Sequence, residues 1–81
     1  SLVANPEKLL SRYIKHRKFR HNEVLNAVKV GNNEISKIAK MAYRDTPGAH
    51  PLLMVDQTLS HLNSLTNSGK ITLSNGKYWI N

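Results

Sequence analysis

The dipeptide Asn75-Gly76, set between the β-rich runs Lys70–Ser74 and Lys77–Ile80, constrains this chain more than any other feature. Asn and Gly tolerate the positive φ angles of a type I′ turn, so the flanking runs are predicted to close as a two-residue hairpin. Pairing Ser74 with Lys77 sets Leu73 opposite Tyr78 and Ile71 opposite Ile80. All four apolar side chains then share one face, with Thr72 and Trp79 on the other. Trp79 is expected to seal the core against a neighbouring element such as the first helix; stacking on a base or sugar is the alternative.

Everything before the hairpin reads as helix. Asn5-Pro6-Glu7 is a helix start, with Asn5 as N-cap and Pro6 where a missing N–H costs nothing. The first helix is predicted to end near Phe19, with Leu9, Leu10, Tyr13 and Ile14 on one side and Lys8, Arg12 and Lys15 on another. A second covers about Asn22 to Val30 and closes on Gly31. Asn33 then caps a third over Glu34–Tyr43, where Ile35, Ile38, Ala39 and Ala42 oppose Lys37, Lys40 and Arg44. After the breaker-rich connection Asp45–Pro51, a fourth helix starts at Pro51 or Asp56 and ends at Asn67-Ser68-Gly69. Its apolar spacing places Val55, Leu59, Leu62 and Thr66 inside, and Gln57, Ser60, His61, Ser64 and Ser68 outside.

Size and charge narrow the function. Eighty-one residues make one small domain, with little room for a deep substrate cavity, so binding on the outer surface is expected. Twelve Lys and Arg against five Asp and Glu point to a polyanionic partner. That excess is front-loaded: residues 1–20 carry a net +5 and residues 21–81 a net +2. The absence of cysteine excludes disulfides and thiolate zinc sites, which fits an intracellular setting, nucleoid, cytoplasm or nucleus. No apolar run approaches the roughly 18 residues of a membrane span, so a soluble protein without membrane contact is expected. The serine start suggests an excised domain or a trimmed tag.

The helices, the run Thr58-Leu59-Ser60-His61-Leu62-Asn63-Ser64-Leu65, then Ser68-Gly69-Lys70-Ile71 and Asn75-Gly76-Lys77-Tyr78-Trp79-Ile80 together resemble the winged helix-turn-helix family over about residues 20–81. The resemblance implies a mainly α fold with a small β-hairpin: a three-helix core plus C-terminal wing at 20–81. Residues 1–19 lie outside it and read as an extra basic helix or extension. The resemblance also implies that Glu34–Tyr43 is the supporting helix, Met54–Asn67 the recognition helix in the major groove, and Ser74–Lys77 the wing tip.

On that reading Gln57, Ser60, His61 and Ser64 are the candidates for contacting bases, since amide and hydroxyl groups can pair with base edges. Lys37, Lys40, Arg44, Lys70 and Lys77 are candidates for phosphates, as are Lys15, Arg17, Lys18 and Arg20 if the segment Lys15–His21 is a basic arm. His16, His21, His50 and His61 share no metal-ligand spacing, so neither metal nor cofactor is expected. Asp56, Ser60 and His61 do not converge as a triad, and neither an enzyme nor a small-molecule substrate is expected. The expected function is therefore binding of double-stranded DNA, in transcription regulation or DNA organisation. The rivals are a protein-interaction module within a larger assembly, a homodimer included, and an RNA binder.

Overall fold

A computed structural model describes residues 5–81 as three helices and one hairpin: α1 (Pro6–Lys29), α2 (Ile35–Ala42), α3 (Pro51–Asn67), β1 (Ile71–Ser74) and β2 (Lys77–Ile80). This is a mainly helical fold with a small antiparallel sheet.

α1 corrects the sequence reading most. The two helices expected at about 6–19 and 22–30 are one continuous helix of 24 residues, so the boundary drawn at residue 19 lies inside an element. No Gly or Pro lies between Pro6 and Gly31 to break it. The apolar stripe also keeps its phase: Leu9, Leu10 and Tyr13 lie on the face that continues through Arg20, Val24, Ala27 and Val28. Only the last four of these are buried, because the other elements cover α1 only from Arg20 onward and merely border it before that. Residues 6–19 are exposed throughout, and their projection stretches the molecule to 52 × 28 × 18 Å.

The ends of the helices follow local chemistry. The Asn5 side chain accepts the N–H groups of Glu7 and Lys8, and Pro6 opens the helix, as expected. At the other end Gly31, at φ +109°, donates to Val28 O while Asn32 N–H reaches Ala27 O, a Schellman closure. The same device ends α3: Gly69 at φ +79° donates to Thr66 O and Lys70 N–H to Leu65 O, which turns the chain straight into β1. Asn33 does not cap α2. Glu34 takes the cap position without a side-chain bond, and the Asn33 carbonyl instead accepts the N–H of Tyr78 at 2.9 Å, tying β2 to the α1–α2 connection. α3 starts at Pro51, with His50 Nδ1 accepting the Leu52 N–H.

The hairpin forms in the predicted register, with Asn75 and Gly76 both at positive φ. Of the four apolar side chains on its inner face, however, only the diagonal pair Ile71 and Tyr78 is buried; Leu73 and Ile80 are about half exposed. The helical layer covers one diagonal of a strongly twisted two-stranded ribbon rather than its whole face. Trp79 stands on the opposite face at 48% exposure and seals no core, contrary to expectation. The core joins Val24, Ala27 and Val28 of α1, Ile38 and Ala42 of α2, Tyr43, Leu62 and Leu65 of α3, and Ile71 and Tyr78. Among the described residues no helix is long and apolar enough to cross a membrane.

Candidate functional site

α3 is rotated about its axis relative to the sequence reading, by roughly 80°. Its buried residues are Thr58, His61, Leu62 and Leu65, whereas Leu59 is exposed and Val55 and Thr66 are only half-buried. The outer face therefore centres on Asp56, Ser60, Asn63 and Asn67, with Gln57 and Ser64 along one margin. Asn63, an amide in the middle of this face, was missed because Leu59 looked like the better core residue. The spacing Thr58, His61-Leu62, Leu65 held the signal, but two of its members are polar.

His61 cannot read a base: it is 4% exposed and packed against α1. Its Nδ1 lies 3.0 Å from Nδ1 of His21, so one ring donates to the other and at most one of the two nitrogens carries the shared hydrogen. Burial, aided by the neighbouring His21, Arg17 and Arg20 charges, lowers the His61 pKa to about 4. Burial first, then Lys70 and Arg17, lowers that of His21. The pair is neutral at pH 7.

Arg20 is likewise internal and is removed from the phosphate-contacting set. At 6% exposure its guanidinium donates to the carbonyl of Ala42 at the end of α2, binds Asp45 Oδ1 at 2.7 Å, and lies over the Tyr43 ring at 4.2 Å. One side chain thus satisfies an orphan carbonyl at a helix C-terminus and ties α1 to the α2–α3 connection. The hydrogen bond from Arg20 holds the Asp45 carboxyl below its ordinary range. Tyr43, whose pKa burial raises, donates its hydroxyl to Gln57 Oε1 at 2.9 Å, so Gln57 is braced against the end of α2.

The remaining cations divide by partner. Arg44 binds Glu23 at 2.7 Å and the Met41 carbonyl, and Lys37 stands 4.0 Å from Glu34. Among the described residues Lys8, Arg12, Lys15, Arg17, Lys18, Lys29, Lys40, Lys70 and Lys77 are exposed and have no carboxylate within ion-pair distance. The expected stripe on α2 is therefore reduced to Lys40 and the loosely paired Lys37.

Two recesses border α3. One, of about 250 Å³, is lined by Arg17, Lys18 and His21 of α1 and by Ser60, His61 and Ser64 of α3. The other, of about 280 Å³, lies between the middle of α1, the α2–α3 connection and α3, and includes Arg17, Tyr43, Gln57 and His61. Arg17 and His61 belong to both. The basic run of α1 is thus a side wall of the surface to which α3 contributes Ser60 and Ser64. Comparison of the chain with protein-family models, with curated proteins and with solved structures found no match.

Proposed function

We propose that the chain is a winged-helix module that binds double-stranded DNA, with α3 directed to the major groove and the 70–81 hairpin acting as wing, in regulation of transcription or organisation of DNA. The observation that carries this reading is the arrangement of unpaired charge. Nine exposed cations lack a carboxylate partner among the described residues, and Arg17 and Lys18 share a recess with α3. From Asp56 onward the outer face of α3 is polar apart from Leu59 at its edge, and it carries the single acid Asp56. Neutral donors flanked by cations suit a groove edged by phosphates. Base contact then falls to Asn63, Ser60 and Gln57, since an amide pairs well with adenine. Lys40, Lys70 and Lys77 remain phosphate contacts on this reading, with Lys37 beside them and Lys15, Arg17 and Lys18 added from α1.

The test is titration of a mixed-sequence duplex at several salt concentrations. Five to eight phosphate contacts predict a log–log slope of about −4 to −7, and no duplex binding at low salt overturns the reading. Asn63→Ala should change preference among sequences, whereas Lys40→Ala should weaken all of them alike.

A second reading is favoured by one observation. Leu9, Leu10, Tyr13 and Ile14 on the projecting part of α1, and Leu52 and Leu53 at the start of α3, are large apolar side chains at 50–76% exposure. Such side chains suit a protein partner, and binding that survives high salt while losing affinity in Leu10→Ala would identify it.

A further inference from the structure

The recess between α1 and α3 is chemically one-sided. Every side chain lining it can donate a hydrogen bond: the Arg17 guanidinium, the Lys18 ammonium, the hydroxyls of Ser60 and Ser64, and the imidazoles of His21 and His61. No carboxylate lines it. Asp45, which neutralises Arg20 behind His61, is already bound to that guanidinium. Ser60 and Ser64 are four residues apart, so their hydroxyls stand one helical turn from each other on the same wall. Arg17 and Lys18 face them across the opening. At about 250 Å³ the recess is large enough for one tetrahedral oxyanion with its first waters, given about 30 Å³ per water.

We propose that this recess seats one phosphate group of a nucleic-acid backbone, with Arg17 and Lys18 neutralising it, Ser60 and Ser64 donating to its oxygens, and His21 taking up a proton when it is filled. The proposal rests on the nucleic-acid reading above and revises it at one residue: Ser60 moves from base contact to the backbone, which it holds together with Ser64, and base contact is left to Asn63 and Gln57. The proton follows from what surrounds the pair. His21 faces Arg17 from its own helix and Lys70 from the start of the hairpin, while His61 faces Arg17, Arg20 and His21. Those cations and burial keep both rings neutral, and a phosphate entering between Arg17 and His21 reverses the local field. His21 can accept the proton and still donate Nδ1–H to His61, so the contact between α1 and α3 survives the change.

The experiment uses the whole 81-residue chain with three variants, each checked for folding by circular dichroism. Ser60→Ala with Ser64→Ala should lower duplex affinity about tenfold for all sequences alike and leave the salt slope unchanged. Arg17→Ala with Lys18→Ala should reduce the slope by about 1, because both cations serve one phosphate. Wild-type affinity should strengthen between pH 7.5 and pH 6, and the gain should vanish in His21→Gln. Inorganic phosphate, added against chloride at constant ionic strength, should shift the ring signals of His21 in nuclear magnetic resonance spectra. If duplex binds but the serines are silent and the slope falls by about 2, the seat is refuted while the nucleic-acid reading stands. If duplex is not bound, yet phosphate shifts His21 in the wild type and not in the serine variant, the nucleic-acid reading falls and the seat remains. Preference for phosphatidylglycerol vesicles over duplex overturns the nucleic-acid backbone as the source of the phosphate.

Discussion

Thr58 is fully buried in α3, and its hydroxyl has no hydrogen-bond partner among the described residues. Thr58→Val replaces that hydroxyl by a methyl group of nearly the same shape. An unsatisfied buried polar group costs about 1–3 kcal/mol, so removing it should stabilise the fold by about 1–2 kcal/mol once imperfect fit is allowed for. Both residues are β-branched and held in one rotamer at a fully buried site, and their helix propensities are similar. For a domain of this size each kcal/mol moves Tm by about 4–8 °C, a shift well within reach of calorimetry. Thr58→Ser supplies the control: it keeps the hydroxyl and removes a buried methyl, so it should lose about 1 kcal/mol. The order Val, Thr, Ser in decreasing Tm is the signature. A valine variant less stable than wild type would show that the hydroxyl is satisfied in the folded protein and refute the argument. Because Thr58 points away from the outer face of α3, duplex affinity should not change in either variant.

Three further outcomes test other parts of the fold. Arg20→Ala uncovers the Ala42 carbonyl and removes the guanidinium from the Tyr43 ring, and should cost about 2–4 kcal/mol in urea denaturation; a loss below 0.5 kcal/mol would mean that the α1–α2 clamp is ornamental. The histidine pair makes stability depend on pH. Both native values lie below the ordinary 6.5, so the unfolded chain binds more protons between about pH 6.5 and His61's value of about 4, and stability should rise with pH across that window. Equal or greater stability at pH 5 than at pH 7.5 would contradict it. Gly31→Ala meets no atom within 4 Å but is forced to φ +109°, so it should destabilise by about 1–2 kcal/mol through backbone strain alone, measured by thermal melting.

Much of this architecture was legible in local chemistry. Asn5-Pro6 starts a helix, Gly31 and Gly69 end two, and Asn75-Gly76 makes a hairpin whose register follows from the pleat. Each of these depends on residues within a few positions of one another, and so could be read from their order. The break expected near Phe19 and the cap expected at Asn33 did not form. Nothing between Pro6 and Gly31 stops a helix, since the segment lacks Gly and Pro and its basic residues do not by themselves end one.

The candidate site was less legible. Lys15, Arg17, Lys18, Lys40, Lys70 and Lys77 are exposed as expected, because a lysine or arginine with no acid near it stays in water. Arg20 has the same chemistry and is buried, because its position on α1 meets the end of α2 and Asp45, 25 residues away in sequence. His61 lies inside against His21, 40 residues away, and Leu59 lies on the exposed side of the same helix.

The division between the two kinds of information is physical. The order of residues by itself determined the helix caps, the hairpin register and the excess of positive charge near the start of the chain, since these depend on backbone dihedrals and on composition. Only the tertiary structure decided which way α3 faces, which arginine is internal, and whether the basic run of α1 stands apart from α3 or beside it. Those depend on pairs far apart in sequence, Arg20 with Asp45 and His21 with His61, whose polar groups are stable inside only once folding has brought each its partner.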